Sequence, residues 1–202
     1  MEHQASALSP AALREAVGEA YTAVAAAPDG RHPFPVGRDF AERAGFPDAL
    51  LDGLPVRSVE AFAGVSNVSL TAPIEPGMSV LDLGCGAGLD ALVAAQRVGP
   101  SGRVVAVDFS PEMVARTRAA AEALGLTQLE ARCAPGENLD LEDASFDVAL
   151  VNGLFNLNPF RAEVMSELAR VLRPGGKLRI AELVLVRPVA ARATASLKDW
   201  FS

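Results

Sequence analysis

The hydrophobic pattern of the chain changes near residue 77. Beyond that point, short apolar or β-branched runs alternate with longer segments in which apolar residues recur every three or four positions, as on one face of a helix. The runs predict strands at 79–84, 103–109, 129–133, 146–153 and 177–186, and the periodic segments predict helices at 91–98, 111–124 and 161–172. Strands that alternate with helices form a parallel sheet with right-handed crossovers, so we expect an α/β fold.

The part of the chain before that point has a helical pattern without strands. One amphipathic helix is expected over 9–27, and two short helices are expected near 37–44 and 46–52, after a proline-rich connector. We therefore divide the chain into an N-terminal helical cap, residues 1–76, and a core, residues 77–202. The cap is interpreted as a lid over the core, with an inert extension as the alternative.

The most informative motif is VLDLGCGAG, in which a buried strand runs directly into Gly84, Gly86 and Gly88. A helix is predicted immediately afterwards. Glycines allow the backbone to turn tightly and to approach a ligand, and a helix N-terminus presents free N–H groups to it. The alternative is that these glycines form only a tight turn between strand and helix.

A carboxylate stands at the end of the next predicted strand, at Asp108. In this position an acidic side chain can accept hydrogen bonds from both hydroxyls of a ribose, so a nucleoside-type ligand is predicted. A dinucleotide site carries G-x-G-x-x-G, whereas this loop has G-x-G-x-G with Asp82 two residues before it. A carboxylate there would repel a diphosphate and attract a ligand that carries an ammonium and a sulfonium.

The segment from about Gly77 to Val186 resembles the class I S-adenosylmethionine-dependent methyltransferases, through VLDLGCGAG, VVAVDFSPEM, ENLDLEDASFDVALVN and LARVLRPGGKL. The resemblance implies a Rossmann-like parallel sheet with helices on both faces, and S-adenosylmethionine as the cofactor. It also implies nine cofactor-binding residues. Asp82, Gly84, Cys85 and Gly86 would surround the methionine part, and Asp108 would bind the ribose. Phe109, Gly136 and Glu137 would contact the adenine, and Asn152 would lie beside the reacting centre.

Three positions depart from the family's pattern. Pro135 stands where the family often carries an acid that accepts from the adenine amine, and proline has no side-chain acceptor for that contact. Residues 64–113 are most similar to the arsenite methyltransferases, which carry cysteines at the positions matching Val65 and Gly153. Because arsenite needs soft thiolate ligands, we do not expect it to be the acceptor.

The composition excludes several classes of function. With 18 basic and 25 acidic residues the net charge is −7, and no basic stripe is available to bind nucleic acid. The apolar runs are too short to span a membrane, and no basic region precedes them as in a signal peptide, so a cytoplasmic protein is expected. Cys85 and Cys133 have no metal-ligand spacing, and no metal site is predicted. Cys133 is expected in the core.

Methyl transfer from a sulfonium is an in-line displacement that requires alignment of the acceptor and exclusion of water. The main hypothesis is therefore a methyltransferase that acts on a small molecule, for which no catalytic residue can be named. The alternatives are a nicotinamide-dependent Rossmann oxidoreductase and a catalytically silent module that binds S-adenosylmethionine.

Other polar residues have both a functional and a structural interpretation. Tyr21 either packs in the core or closes over the cofactor, and His32 is a candidate base only if its loop folds over the cleft. Glu182 either faces the substrate or is a satisfied structural carboxylate. Asn158 is expected to cap the helix that follows it.

The predicted sheet is short for this family, whose members have seven strands in the order 3-2-1-4-5-7-6. Only five strands are predicted here, and the fifth would be an uncovered edge, which proteins normally avoid. We expect that the chain is truncated before strands six and seven. The alternative is that a partner chain completes the sheet, as in a homodimer.

Overall fold

The computed structural model describes residues 9–184, and a five-stranded parallel sheet lies at its centre. The strands are β1 Ser79–Leu83, β2 Arg103–Asp108, β3 Leu129–Cys133, β4 Phe146–Asn152 and β5 Leu172–Ala181. Their order across the sheet is β3-β2-β1-β4-β5. The predicted Rossmann-like α/β class is confirmed, with the strand order that the resemblance implies for the first five strands. The expected absence of strands six and seven concerns residues 185–202, which lie outside the described range.

Within residues 9–184, five helices precede the sheet and three connect its strands. The first group is α1 Pro10–Ala26, α2 Arg38–Arg43, α3 Asp48–Asp52, α4 Val56–Glu60 and α5 Val68–Thr71, and the second is α6 Leu89–Val98, α7 Pro111–Ala123 and α8 Arg161–Val171. The two helices with a serine-proline start are capped as their sequence predicts. The Ser9 hydroxyl accepts from the Ala12 N–H of α1, and the Ser110 hydroxyl accepts from the Met113 N–H of α7.

Helices cover both faces of the sheet. Alternate residues of β1 point to opposite sides, so Val80 packs against α6 on one face while Leu81 and Leu83 pack against α8 on the other. The helices α2 to α5 contribute to the first core, for example through Phe46 and Val68. Because these helices share a core with the sheet, the division of the chain at residue 77 stays a prediction.

The fifth strand differs from its prediction. It begins at Leu172 instead of 177, because the Arg-Pro-Gly-Gly segment bulges within the strand instead of preceding it. The pairing passes from Phe146 with Leu172 to Val148 with Lys177, so four residues of β5 lie opposite one residue of β4 and three extra residues are accommodated on β5. The strand ends at Ala181, residues 182–184 have no regular structure, and the rest of the predicted strand lies outside the described residues.

The start of α8 is a second correction. Its N-cap is Phe160, whereas Asn158 was expected in that position. The Asn158 Oδ1 atom accepts a 2.8 Å hydrogen bond from the Phe160 N–H and closes a local turn, so the helix begins after that turn.

The described helices also bear on the membrane question. Between residues 9 and 184, none combines the length and the hydropathy that a membrane crossing requires.

Candidate functional site

A cleft opens at the carboxyl ends of β1, β2 and β4, where ligands bind in open α/β sheets. One face of α1 lies over it, because Arg14, Val17 and Tyr21 recur at helical spacing and all line the cleft. All nine residues that the resemblance implies as cofactor ligands line this same cleft: Asp82, Gly84, Cys85, Gly86, Asp108, Phe109, Gly136, Glu137 and Asn152.

The turn after β1 needs glycine for two different reasons. Gly88 has a φ of +87°, and a Cβ atom there would lie 2.7 Å from the Thr117 Oγ1 atom. Gly86 has a φ of +53°, but a Cβ atom there would meet nothing within 4 Å, because this residue faces the cleft. Gly88 therefore allows α6 and α7 to pack closely, and Gly86 allows a ligand to approach the backbone.

Asp108 joins the end of β2 to this turn. Its Oδ2 atom accepts a 2.8 Å hydrogen bond from the Gly86 N–H, and its Oδ1 atom accepts a 2.9 Å bond from the Ser110 N–H. Burial raises the pKa of the Asp108 carboxyl, and these N–H donors oppose that shift. Each carboxylate oxygen has a second lone pair, so the side chain can still accept hydrogen bonds from a ligand.

Asp82 lies at the bottom of the cleft, only 2% exposed. Burial raises its pKa well above the usual range, and the charges of Asp90 and Asp108 raise it further. Its Oδ2 atom has no hydrogen-bond partner among residues 9–184. The Ala91 N–H donates to this carboxylate and opposes the rise in pKa, but a buried oxygen without a partner is still unfavourable, and a cation beside it would stabilise the charged form. The ammonium and sulfonium groups of S-adenosylmethionine supply such charges, so the residues present fit that cofactor.

Asn152 is tied to the cap. Its Nδ2 atom donates to the Asp90 Oδ2 atom at 2.8 Å and to the Ser66 carbonyl at 2.7 Å. Its Oδ1 atom accepts from the N–H groups of Val65, at 2.8 Å, and Ser66, at 3.2 Å. The predicted role of Asn152 beside the reacting centre stays a prediction, while its observed contacts hold residues 65–66 against the end of β4.

Sequence reasoning missed Asp90, which is buried in the first turn of α6. Its Oδ1 atom accepts from the Ser69 N–H at 2.9 Å, and burial raises its pKa. Asp90 could have been identified from its position in the sequence, because it is a carboxylate just after the glycine turn, at the positive end of a helix dipole.

Arg14 was also missed. It lies on α1, forms an ion pair with Glu137 in the segment after β3, and places its guanidinium 5.0 Å from the centre of the Phe160 ring. Its spacing from Val17 and Tyr21 could have shown that it shares the face of α1 that covers the cleft.

The two cysteines are in contrasting environments. Cys85 is buried in the glycine turn, and burial raises its pKa well above the usual value, with Asp108 and Asp82 adding to the shift. It is thus a protonated small residue that fits the turn, not an activated nucleophile. Cys133 is exposed, so its expected place in the core is wrong: at the carboxyl end of β3 its thiol donates to the Phe109 carbonyl at 3.5 Å. Among residues 9–184 no group of side chains could hold a metal ion.

Tyr21 belongs to the site. Its ring packs on that of Phe34, with centroids 5.1 Å apart, and its side chain lines the cleft. Burial raises the pKa of its hydroxyl, as do the charges of Asp108 and Glu182. The hydroxyl therefore stays protonated and can act as a hydrogen-bond donor.

His32 and Glu182 have structural contacts. The His32 Nε2 atom lies 2.8 Å from the Ala27 carbonyl, and the residue does not line the cleft, so its proposed role as a base has no support. The Glu182 carboxylate accepts from the N–H groups of Leu154, at 2.6 Å, and Phe155, at 2.7 Å. It is a satisfied carboxylate that fixes the segment after β4.

Known proteins match the sequence and the fold of this chain. The methyltransferase domain family matches residues 74–202. An arsenite methyltransferase of Halobacterium salinarum is 39% identical over 125 residues, which are 62% of this chain and 32% of that protein. A nocamycin O-methyltransferase of Saccharothrix syringae is 37% identical over 125 residues, covering 62% of this chain and 42% of that protein.

A solved structure agrees. An arsenic(III) S-adenosylmethionine methyltransferase from Chlamydomonas reinhardtii superimposes with a TM-score of 0.55 and 36% identity, over 72% of this chain and 48% of that one. The curated relatives named above are longer, and this chain spans between 32% and 42% of their length. The family match covers more than half of the chain and includes all nine residues that the resemblance implies as cofactor ligands, from Asp82 to Asn152. The chain therefore belongs to the methyltransferase domain family, in its class I, S-adenosylmethionine-dependent branch.

Proposed function

We propose that this chain transfers a methyl group from S-adenosylmethionine to a small-molecule acceptor by in-line displacement. The observation that carries the proposal is the set of three buried carboxylates around the glycine turn: Asp82, Asp90 and Asp108. The cofactor, when bound, supplies an activated methyl group on a sulfonium. The comparisons favour this activity over a nicotinamide-dependent oxidoreductase, because the family and the relatives are methyltransferases.

The chain's own residues would hold the cofactor from both of its ends. Asp82 attracts a cation, since its Oδ2 atom has no partner among the described residues. Asp108 accepts from ribose hydroxyls while it fixes the Gly86 backbone. Phe109 is 37% exposed at the same wall of the cleft and offers a ring face to the adenine.

The helix α1 would exclude water from the reacting groups. Its Gly18 lies so close to Phe109 that a Cβ atom would be 3.5 Å from the ring, and Tyr21 lies one turn further along. A cover of this kind strengthens electrostatic contacts inside the cleft and protects the alignment of an acceptor. No catalytic residue is assigned.

The acceptor is proposed to be an organic small molecule and not arsenite. Val65 and Gly153 lie next to each other, because a Cβ atom on Gly153 would be 3.7 Å from the Val65 Cγ1 atom. Neither residue offers a thiolate for a metalloid. The two cysteines of the chain, Cys85 and Cys133, lie in the glycine turn and at the end of β3.

Calorimetry with S-adenosylmethionine, S-adenosylhomocysteine and NADH tests the cofactor. We expect binding of the first two only, and at least about ten-fold weaker binding of S-adenosylmethionine by Asp82→Asn. Asp29→Asn, an exposed acid outside the cleft, is the matched control for the change in charge. Binding of NADH alone would refute the proposal.

Turnover with a labelled methyl donor and a panel of thiols, phenols and amines separates an enzyme from a silent module. Methylation of one panel member supports the proposal, and cofactor binding without any transfer favours the silent module. The homodimer and the cytoplasmic location are further proposals that rest on the sequence, and light scattering of the purified protein tests the first.

A further inference from the structure

The wall of the cleft formed by residues 63–66 is hydrogen-bonded to a single side chain. Its backbone makes hydrogen bonds to the Asn152 side chain and, within residues 9–184, to no other group. Gly64 allows this backbone to approach the amide, since a Cβ atom there would lie 2.7 Å from the Asn152 Cγ atom. Because Ala63 and Gly64 both line the cleft, the position of Asn152 decides where this wall lies.

This wall belongs to the acceptor side of the cleft. In the sheet β1 separates β2 from β4, so the end of β4 lies on the other side of the glycine turn from Asp108. Gly153 and Leu154 line the cleft there, and a Cβ atom on Gly153 would be 3.7 Å from the Val65 Cγ1 atom. A cofactor whose ribose is bound at Asp108 therefore leaves this wall free to contact the methyl acceptor.

Asn152 is in turn held by a buried carboxylate, Asp90, which also lines the cleft and is 5% exposed. The two oxygens of Asp90 accept from different donors: Oδ2 from the Asn152 Nδ2 atom at 2.8 Å, and Oδ1 from the Ser69 N–H at 2.9 Å. Asn152 accepts from the N–H groups of Val65 and Ser66. A continuous chain of hydrogen bonds therefore runs from the first turn of α6 to the acceptor wall.

The strength of these bonds depends on the charge of Asp90, because an ionised carboxylate forms stronger hydrogen bonds than a neutral one. Burial raises the pKa of Asp90, while the bonds from Ser69 and Asn152 oppose that shift. The charge of Asp90 also raises the pKa of Asp82, so the two carboxylates lie within electrostatic reach of each other. A cation bound beside Asp82 therefore favours the ionised form of Asp90 as well.

We propose that Asp90 is a positioning residue that couples the two ligands: the cationic cofactor strengthens the bonds of Asp90 to Asn152 and Ser69, and these bonds fix the wall that receives the acceptor. The inference rests on the proposed function. Because such coupling is reciprocal, the protein with a fixed wall also binds the cofactor more tightly. The cofactor is then expected to bind before the acceptor, which meets a wall already in place.

Hydrogen exchange at single amides, followed by NMR on the full chain, tests the coupling without an acceptor. The amides of Val65, Ser66 and Ser69 donate to the two side chains, so they report these bonds directly. Saturating S-adenosylmethionine should slow their exchange at least about five-fold. Saturating 5′-methylthioadenosine, which has the nucleoside but neither the ammonium nor the sulfonium, should slow it much less.

Asp90→Asn is the main variant, since it keeps the size of the side chain and removes its charge. Its amide has one acceptor oxygen for two donors, so S-adenosylmethionine should bind at least about five-fold more weakly and should no longer slow exchange at the three amides. Asp147→Asn is the matched control, because Asp147 also accepts from a backbone N–H, that of Ser79, but lies at the other end of β4. This control should respond to the cofactor as the wild type does.

A double variant, Asp90→Asn with Asn152→Asp, exchanges the amide and the carboxylate and keeps the total charge. The new amide can accept from Ser69 and donate to the new carboxylate, which can accept from Val65 and Ser66. Only the bond to the Ser66 carbonyl is lost, so the slowing of exchange by S-adenosylmethionine should return in part. A purely structural role for Asp90 predicts no such recovery.

The outcomes separate the two levels of the proposal. Equal slowing by S-adenosylmethionine in the wild type and folded Asp90→Asn, or equal slowing of the wild type by 5′-methylthioadenosine, overturns the coupling and leaves the cofactor assignment intact. A folded double variant without recovery also overturns it, and melting curves check that each variant is folded. A wild type that does not bind S-adenosylmethionine overturns the proposed function, and the coupling with it.

Discussion

The floor and the roof of the cleft are assembled in different ways. We call residues 82–90 together with Asp108 the floor, and α1 together with residues 61–67 the roof. The floor forms from one short stretch of chain and the next strand, and Asp108 holds it by a bond to the Gly86 N–H. The roof reaches its place through contacts between residues far apart in sequence, such as Arg14 with Glu137. The floor is therefore set by local backbone geometry, and the roof depends on a few long-range side-chain contacts.

The largest effect is expected from a change that breaks the floor. Gly88→Ala places a Cβ atom 2.7 Å from Thr117 Oγ1 in a residue with a φ of +87°. We expect a loss of about 3 kcal/mol in the free energy of unfolding, from left-handed strain of roughly 1–2 kcal/mol and overpacking of roughly 1–3 kcal/mol. Urea denaturation followed by circular dichroism measures it.

Gly86→Ala is the companion variant. Its Cβ atom would meet nothing within 4 Å, so only the backbone strain of about 1 kcal/mol remains. Equal losses of stability in the two variants would show that Thr117 moves aside and that packing at Gly88 does not constrain the turn.

The next effect comes from the bond between roof and floor. Asn152→Ala removes the amide that joins Asp90 to Ser66 and Val65, and leaves buried polar groups unpaired. We expect a loss of roughly 2 kcal/mol in stability and faster hydrogen exchange at the Val65 and Ser66 amides. In contrast, Asn158→Ala removes a single local bond and should leave the exchange at those amides unchanged. A roof that stays protected in Asn152→Ala would contradict this account.

The same difference explains what the sequence could predict. The strand β1, the glycine turn after it and the place of Asp108 at the end of β2 are confirmed, because their spacing along the chain fixes their geometry, while the predicted contact of Asp108 with a ribose stays a prediction. Arg14 and Asp90 were not found, because their importance depends on which distant residues they meet. The bulge in β5 was missed for a similar reason, since pairing with β4 continues across Phe146 and Val148 and draws the Arg-Pro-Gly-Gly segment into the strand.

A smaller change in stability is expected from Asp82→Asn, which removes a charge from the floor while leaving its packing almost unchanged. Burial and neighbouring charges raise the pKa of Asp82 in the folded protein, so the folded state binds a proton more readily than the unfolded one. This acid therefore destabilises the ligand-free protein above its ordinary pKa, and stability returns as the pH falls through the raised value toward about 4. Asp82→Asn should be more stable than the wild type by about 1 kcal/mol at pH 7, and the two should converge as the pH is lowered.

Denaturation curves of both proteins between pH 4 and 8 measure that difference. The comparison of wild type with variant cancels the opposite trend from Glu130 and Glu167, whose pKa values are lowered by arginine partners. If Asp82→Asn is less stable than the wild type at every pH, the contacts of the carboxylate, including the Ala91 N–H, compensate for its burial, and the cation site proposed for the floor loses its physical basis.

Arg14→Ala is expected to have the smallest effect on stability, but it tests most directly what holds the roof over the cleft. The ion pair with Glu137 is partly exposed on the arginine side, so its loss should lower stability by only about 0.5 kcal/mol. The contact nevertheless links α1 to two walls of the cleft, and we expect S-adenosylhomocysteine to dissociate several-fold faster in stopped-flow measurements. Arg38→Ala removes ion pairs on the cap outside the cleft and should leave that rate unchanged. Equal rates in Arg14→Ala and the wild type would mean that α1 opens without breaking this contact, so that packing of Gly18 and Tyr21, and not charge, would hold the roof closed.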